Sequence, residues 1–151
     1  MQSHCGRYVI VFNGEIYNFR QLRRELEHLG ECFLTTSDTE VLLSLFVRYR
    51  ESMLSRLKGM FSFVIWDINE RSAFAARDAY GIKPLYLAKV QGGLVFASQV
   101  KALLATGIVD RAPNLSGQLG FWMLGSVPEP HTWYRDIECI QAGHCLWIKF
   151  G

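Results

Sequence analysis

Residues 8–18 read YVIVFNGEIYN, five apolar residues followed by an Asn-Gly pair. The apolar run predicts a buried strand. Asn13 and Gly14 tolerate positive φ and are typical of turns, so we expect the chain to leave the strand here and enter a helix. Such a turn can direct the Asn13 amide and the Gly14 N–H into one space. Two donors aimed at one point stabilise a developing oxyanion, by roughly 3–4 kcal/mol per donor, although most Asn-Gly pairs are plain turns.

Capping residues mark the predicted helices. The pattern of Asn18 with Gln21, and that of Ser37 with Glu40, are two capping boxes, in which the side chains satisfy N–H groups at the start of a helix. Shorter helices are expected after Ser98 and Asn114. These four capped helices are predicted to end near residues 29, 49, 104 and 124, and a short helical segment is expected to hold Met53, Leu54 and Leu57.

Between and after these helices the apolar pattern predicts strands. Residues 60–66 and 72–76 flank a polar turn, and residues 85–90 and 94–97 flank a Gly-Gly pair, so each set predicts a hairpin. A last hairpin is expected from residues 137–140 and 145–150. Helices that cluster early, with hairpins in the middle and at the end, predict an α+β fold of antiparallel sheet covered by helices.

The composition predicts a single domain over residues 1–151. Half of the 151 residues are apolar, enough for a substantial core. The 16 basic and 14 acidic residues give no electrostatic reason to expect nucleic acid or an anionic membrane as a partner. No apolar run approaches the roughly 20 residues of a membrane helix. The four cysteines lack metal-ligand spacing, so we expect no metal site, and reduced thiols in a cytoplasmic protein.

Six motifs in order give the chain a family resemblance. They are VFNGEIYN (residues 11–18), SDTE (37–40), KGMF (58–61), RDAYGIKPLY (77–86), FASQVKALL (96–104) and GSVPEPHT (125–132). Together they resemble the glutaminase domain of glutamine-dependent asparagine synthetase, a class II glutamine amidotransferase. Glucosamine-phosphate synthase and the purine-pathway amidotransferase share the fold but lack the KPLY and KALL signatures. The resemblance implies an N-terminal-nucleophile-hydrolase-type sandwich of antiparallel sheets flanked by helices, present here incompletely.

The resemblance also implies site residues. The Asn13 side-chain amide and the Gly14 N–H would form the oxyanion hole, and Glu15 would line the glutamine pocket beside them. Asp38 would accept hydrogen bonds from the glutamine α-ammonium group, a charge-assisted contact. Asp38 also fits a simpler role, an acidic residue in a first helical turn that stabilises the helix dipole. Both roles can hold at once.

Other parts of the family's machinery have no counterpart in this sequence. The family uses an N-terminal cysteine as nucleophile, its free α-amino group as base, and an arginine for the glutamine α-carboxylate. Cys5 is expected in a loop and not as that nucleophile. We expect the sequence to lack the N-terminal third of the glutaminase domain and the C-terminal synthetase domain. The chain alone is then inactive and binds no cofactor, since ATP and Mg²⁺ belong with the synthetase domain.

The resemblance therefore predicts part of an enzyme that hydrolyses glutamine and supplies ammonia for ATP-dependent asparagine formation from aspartate. The expected partners are glutamine and the missing segment or synthetase domain in a longer protein, and a homodimer is a further option. The alternative is a non-catalytic remnant, a binding or assembly module with the same fold. Arg77 and Asp78 are expected to be a buried or semi-buried pair that shapes the turn before Gly81, and Trp122, Trp133 and Trp147 to lie in the core.

Overall fold

The computed structural model describes residues 1–149. In chain order the elements are β1 (Tyr8–Ile16), α1 (Phe19–His28), α2 (Asp38–Tyr49), a 3-10 helix (Arg50–Arg56), β2 (Gly59–Asp67), β3 (Ser72–Arg77), β4 (Tyr86–Val90), β5 (Gly93–Ala97), α3 (Val100–Ala105), α4 (Leu115–Leu124), β6 (Ile137–Cys139) and β7 (Cys145–Lys149). All strand pairs are antiparallel. One sheet has the order β1-β2-β3-β7 and the other β5-β4-β6.

The two sheets lie between helical layers. Helices α1 and α2 cover one face of the four-stranded sheet, where Phe46 packs with Phe63 and Phe74. The opposite face of that sheet meets the three-stranded sheet through a second apolar cluster that includes Val64 and Leu85. Helix α3 closes the outer face of the smaller sheet with Leu103. The fold is therefore an α+β sandwich of antiparallel sheets flanked by helices, as the sequence predicts.

Strand β3 explains why both faces of the larger sheet can be covered. All six of its residues are buried. Ala73 and Ala75 face the second sheet, while Phe74 and Ala76 face the helices. The small alanine side chains leave room for the two sheets to pack closely, and the phenylalanine fills the thicker helical side.

Two predicted hairpins are confirmed and the third is wrong. Strands β2 and β3 pair across residues 68–71, and β4 and β5 pair with Val90 opposite Gly93. Strands β6 and β7, however, belong to different sheets: β6 pairs with β4, and β7 pairs with β3. The sequence pattern identifies both as short strands. Their pairing depends on tertiary packing, since Ile137 of β6 packs in the apolar cluster of the smaller sheet and Ile148 of β7 packs in the cluster between the sheets.

The capping predictions are confirmed in part. Asn114 caps α4 by accepting from Gly117 N at 3.1 Å. Ser37 caps α2 by accepting from Thr39 N at 3.1 Å, but Glu40 does not complete a capping box. Asn18 makes no capping bond.

Instead, Asn18 binds the segment before β2, donating to Arg56 O at 2.9 Å and accepting from Lys58 N at 3.0 Å. Residue 99, not Ser98, precedes α3, and its side chain makes no capping bond. Trp122, Trp133 and Trp147 are all exposed, so their placement in the core is also wrong.

Candidate functional site

Asn13 and Gly14 lie inside a strand and not in a turn. Strand β1 continues through both residues to Ile16, with Asn13 opposite Ser62 and Gly14 opposite Phe61 in β2. The predicted strand-to-helix turn is therefore wrong, and the chain turns only after Ile16. The whole stretch from residue 8 to residue 16 stays extended because β2 pairs with it along its full length.

The glycine is required here by close approach of the neighbouring strand. A Cβ atom on Gly14 would lie 2.2 Å from Met60 O and 2.7 Å from the Phe61 Cα. Gly59 faces the reciprocal restriction, because its Cβ would lie 2.2 Å from Glu15 O. Gly14 also has φ of +153°, a conformation that side chains with a Cβ disfavour. The strands thus meet closely at a pair of glycines, directly beside the candidate site.

Hydrogen bonds across β2 show which way Gly14 presents its backbone. The N–H and C=O of Phe61 are both bonded to Asp78, on the β3 side. In an antiparallel ladder, two residues directly opposite each other either exchange both backbone hydrogen bonds or point all their N–H and C=O groups away from each other. Phe61 and Gly14 form a pair of the second kind. The N–H and C=O of Gly14 therefore point outward from β2, along the outer edge of β1.

That edge is partly occupied within the described range of residues 1–149. Near its start, Val9 forms a bridge with Gln2, and Ile10 N donates to Met1 O at 2.8 Å. At its end, Ile16 N donates to Asp38 Oδ2 at 3.0 Å. Between these two contacts the edge at Gly14 meets no described strand. We call the segment from Asn13 to Ile16, together with Asp38, the β1 edge.

Asp38 is placed on the β1 edge by helix α2. It is the first residue of that helix, and Ser37 caps the helix before it, so the carboxylate lies in the first turn, where an acidic residue stabilises the helix dipole. Because Oδ2 binds Ile16 N, the carboxylate lies two residues along the strand from Gly14. At about 3.4 Å per residue, this spacing is about 7 Å.

The Asn13 side chain projects from the face of β1 that is turned toward the second sheet. It lines a groove of about 230 Å³ between the sheets, together with Ser62, Phe96 and Ser98. Glu15 follows on the same face of β1 by strand alternation and is exposed. The structure thus brings Asn13, Gly14, Glu15 and Asp38 to one end of β1.

Asp78 holds the loop that follows β3. It is almost fully buried and accepts hydrogen bonds from the backbone N–H groups of four residues, Phe61, Tyr80, Ile82 and Lys83. Burial opposes ionisation of this carboxyl, but these N–H groups together lower the pKa of Asp78 below its usual range. Its bond to Phe61 extends the β2–β3 ladder and fixes the strand against which Gly14 packs.

Arg77 and Asp78 are both buried and shape the turn before Gly81, as predicted, although each does so through its own partners. Arg77 is buried and donates to Glu129 Oε1 at 2.6 Å, to Ile140 O at 2.6 Å and to Lys83 O at 2.9 Å. Neighbours in a strand point to opposite faces or diverge at its end, so each of the two found separate partners. Both residues shape loops and do not reach the β1 edge.

Glu40 is a buried acid whose position the sequence analysis missed. Its carboxylate accepts from Leu34 N at 2.8 Å, from Thr35 N at 2.7 Å and from the Thr35 hydroxyl, and it pairs with His4 Nε2 at 3.0 Å. Burial alone would raise the pKa of Glu40, but these hydrogen bonds lower it to about 2. The capping-box pattern identified the residue but assigned it the wrong partner.

The cysteines lie outside the groove that Asn13 lines. Cys5, Cys32, Cys139 and Cys145 carry free thiols, and none of them lines the groove that contains Asn13. Cys5 lies in the loop before β1, as predicted, where the Ser3 hydroxyl and the Arg7 N–H lower the pKa of its thiol. Within residues 1–149, no group of three or more His, Cys, Asp or Glu side chains is arranged to hold a metal ion. In the same range, no helix has the length and apolar character needed to cross a membrane.

Comparison with known proteins identifies the site's family. Residues 1–151 match the family described as the glutamine amidotransferase domain. The chain belongs to this family. The amidotransferase domain is 42% identical over 144 residues to asparagine synthetase (glutamine-hydrolyzing) 1 of Bacillus subtilis (strain 168), and 37% identical over 140 residues to asparagine synthetase (glutamine-hydrolyzing) 3 of the same organism. It is also 36% identical over 136 residues to amidase chyE of Penicillium rubens.

These relatives are much longer than the amidotransferase domain. The first match covers 94% of this chain but 22% of the relative, and the other two cover 92% and 90% of this chain but 23% and 20% of theirs. The domain thus spans about a fifth of the length of the curated relatives it matches.

A solved structure supports the fold. Glutamine phosphoribosylpyrophosphate amidotransferase from B. subtilis matches with a TM-score of 0.63 and 30% identity, covering 72% of this chain and 26% of that one. The antiparallel sandwich of this chain is therefore of the same type as in glutamine amidotransferases.

Proposed function

We propose that this amidotransferase domain binds the substrate glutamine at the β1 edge, as part of a glutamine-hydrolysing asparagine synthetase. The supporting observation is the outward-facing N–H of Gly14 on the same strand edge as the carboxylate of Asp38. The first is a donor for the oxygen of a side-chain amide, and the second is an acceptor for an ammonium group. Family membership supplies the substrate class, and the strand supplies the spacing.

The spacing of about 7 Å suits an extended glutamine whose amide oxygen lies at Gly14 and whose α-ammonium lies at Asp38. Asn13 would add a second donor from the groove side, and the exposed Glu15 would border the ligand. Asp38 is held in place by its bond to Ile16 N, and its Oδ1, to which the Thr39 hydroxyl donates at 3.5 Å, keeps further acceptor capacity for the ligand's ammonium group. A preorganised acceptor loses little freedom when the ligand binds.

The ammonia would be used elsewhere in a longer protein. The asparagine synthetase relatives extend well beyond the matched region. We propose that a synthetase domain of this kind, with ATP and Mg²⁺, uses the released ammonia to convert aspartate to asparagine. The domain itself would hold neither cofactor. The proposal places the protein in the cytoplasm, in keeping with the free thiols of its four cysteines.

Hydrolysis needs a nucleophile at the amide carbon as well as an oxyanion hole. No cysteine lines the Asn13 groove within the described part of the chain, and the Ser62 hydroxyl there donates to Pro84 O at 3.1 Å. We therefore propose that residues 1–151 alone bind glutamine without hydrolysing it. The same observation favours the second candidate, a binding module that uses this fold without catalysis.

A titration of L-glutamine followed by amide NMR tests the proposal. We expect the Gly14 and Ile16 amide signals to shift, and Asp38→Asn to weaken binding at least about 10-fold, because the charge-assisted contact is lost while the bond to Ile16 N can persist. Asp136→Asn, at an exposed site, is the matched control and should bind like the parent chain. Shifts confined to other regions, or full binding by Asp38→Asn, would contradict the proposed site. Release of ammonia by this chain would contradict its proposed inactivity.

A further inference from the structure

The first turn of helix α2 is held by side-chain contacts on two sides. Asp38 accepts a hydrogen bond from Ile16 N at 3.0 Å, which ties the turn to the end of β1. Glu40 instead ties it to the loop before the helix, by accepting from the N–H groups of Leu34 and Thr35. Each residue turns an α-helix by about 100°, so two side chains that are two residues apart point in nearly opposite directions. Glu40 therefore acts from the side of the helix that is turned away from the proposed glutamine site.

A short series of hydrogen bonds connects the Glu40 carboxylate with the backbone that carries Asp38. The Thr35 hydroxyl donates to Glu40 Oε2, and the same hydroxyl oxygen accepts from Ser37 N at 3.2 Å. Ser37 in turn caps the helix by accepting from Thr39 N at 3.1 Å. The loop, the cap and the first helical turn are thus bonded to one another on both sides of Asp38.

The first turn needs these contacts because the first N–H groups of a helix have no acceptor within the helix. The helix is fixed by core packing only from Val41 and Leu42 onward, where both side chains are fully or almost fully buried. Residues 38–40 come before that packed part. If the Glu40 contacts were lost, the loop would be released and the first turn could open locally, and Asp38 would move with it.

A second segment of the chain is bonded to the same carboxylate. His4 Nε2 lies 3.0 Å from Glu40 Oε1, and the segment that contains His4 is joined to β1 by the bond from Ile10 N to Met1 O. Glu40 therefore connects the loop before α2 with the segment that leads into β1, the two elements that carry the proposed site. These hydrogen bonds outweigh the effect of burial and lower the pKa of Glu40 to about 2, so the group is a charged acceptor at neutral pH.

We propose that Glu40 is a positioning residue, which holds the carboxylate of Asp38 beside Ile16 on the β1 edge and thereby makes the site prefer an amide ligand with an α-ammonium group. Glu40 acts through Asp38 and does not touch the ligand. A carboxylate that is already held in place loses little freedom when it binds an ammonium group. The ligand preference rests on the proposed function, whereas the placement of Asp38 is a property of the chain without ligand.

Hydrogen exchange of the Ile16 amide measures that placement in the absence of ligand. Glu40→Gln replaces one acceptor oxygen by an N–H donor that faces other donors. We expect it to reduce the protection of the Ile16 amide at least about 10-fold more than that of the amides of the inner strand β2. Thr35→Val removes the bridging hydroxyl with little change of shape and should have a smaller effect of the same kind. Thr35→Ser keeps the hydroxyl and should keep the protection.

Asp67→Asn is the matched control. Asp67 is also a buried acid, with 1% of its surface exposed, and it accepts from the Arg7 guanidinium. It lies opposite Tyr8, at the other end of β1 from the proposed site. Asp67→Asn should lower the protection of the Ile16 amide and of the β2 amides to the same degree. Circular dichroism and thermal melting establish that each variant is folded.

Two ligands test the preference by amide NMR titration. They are L-glutamine and glutaramate, which is L-glutamine without its α-amino group. We expect Glu40→Gln to weaken the binding of L-glutamine about 10-fold or more. The binding of glutaramate should change by no more than about 2-fold, because it makes no ammonium contact with Asp38. A general loss of structure would weaken the binding of both ligands equally.

The two measurements separate this proposal from the proposed function. If the parent chain binds no L-glutamine, the proposed function fails, and the exchange of the Ile16 amide still decides whether Glu40 positions Asp38. A folded Glu40→Gln whose Ile16 amide keeps its protection relative to β2 would overturn the proposal. So would an equal loss of affinity for both ligands, or the same selective loss in Asp67→Asn.

Discussion

Replacing Gly14 with alanine should strongly destabilise the fold, although it adds only one methyl group. The new Cβ would lie 2.2 Å from Met60 O and 2.7 Å from the Phe61 Cα, both backbone atoms of β2 that no side-chain rotation can move away. The strand would have to separate from β2, or φ would have to leave +153°. Either change disturbs the register that places Asn13 and Gly14 at the strand edge.

The magnitude follows from two contributions. Overfilling a packed region costs typically 1–3 kcal/mol, and holding a residue with a Cβ in a sparsely populated backbone conformation costs about 1–3 kcal/mol. We expect Gly14→Ala to lower the free energy of unfolding by roughly 3–5 kcal/mol, out of a typical total of 5–15 kcal/mol. For a chain of this size, that is a fall in Tm of roughly 8–15 °C.

Urea and thermal denaturation followed by circular dichroism measure the effect. Alanine variants at three other glycines distinguish the steric contribution from the backbone contribution to the loss of stability. Gly59→Ala retains the close contact, with Glu15 O at 2.2 Å, but has no positive φ. Gly92→Ala has φ of +83° with no atom within 4 Å, and Gly93→Ala has neither restriction. We expect Gly59→Ala to lose about 1–3 kcal/mol, Gly92→Ala about 1 kcal/mol, and Gly93→Ala to remain within about 0.5 kcal/mol of the parent. If Gly14→Ala loses no more stability than Gly92→Ala, the close approach of the strands does not constrain this position.

Two more predictions concern buried charges. The folded-state pKa of Glu40 is about 2, below its ordinary value of 4.5, so its stabilisation of about 3 kcal/mol is present above pH 4.5 and is lost as the pH falls toward 2. Urea titrations should therefore show Glu40→Gln less stable than the parent chain at pH 7 and converging with it near pH 2, and a gap that is constant with pH would contradict this. Arg77→Ala should lose about 2–4 kcal/mol because several carbonyls lose their donor, and Arg77→Lys should recover little of that loss because it lacks the planar set of donors. Arg135→Ala, at an exposed ion pair, should cost less than about 0.5 kcal/mol, and an equal loss at Arg77 would show that its contacts are not stabilising.

Most of the secondary structure was predicted correctly because apolar periodicity, turn residues and helix caps depend only on residues close together in the chain. The apolar run of β2, the Gly-Gly turn between β4 and β5 and the cap at Asn114 each act within a few residues. The pairing of β6 and β7 was not predictable in this way. Both are short apolar strands in sequence, and only the packing of two sheets decides that one joins β4 and the other β3.

Predictions based on residue type were wrong where tertiary contacts override the local preference of the residue. An Asn-Gly pair favours a turn, but pairing with β2 along nine residues keeps it extended. Asn18 and Glu40 each have the side chain of a capping residue, yet both bind backbone groups of distant or preceding segments. Trp122 has the size of a core residue, but the face of α4 that packs is the one with glycines.

The sequence by itself determined the family and the α+β class, because these depend on motifs and on periodic burial, and its motifs also supply the residues of the proposed site. Only the tertiary structure decided how the site is built. Phe61 binds Asp78 on one side, so Gly14 must present its N–H on the other, and Asp38 reaches the same edge from a helix that begins 22 residues after Ile16. Backbone direction and distance of this kind depend on which strands lie side by side, a property that arises from the packing of the whole chain and not from any short stretch of it.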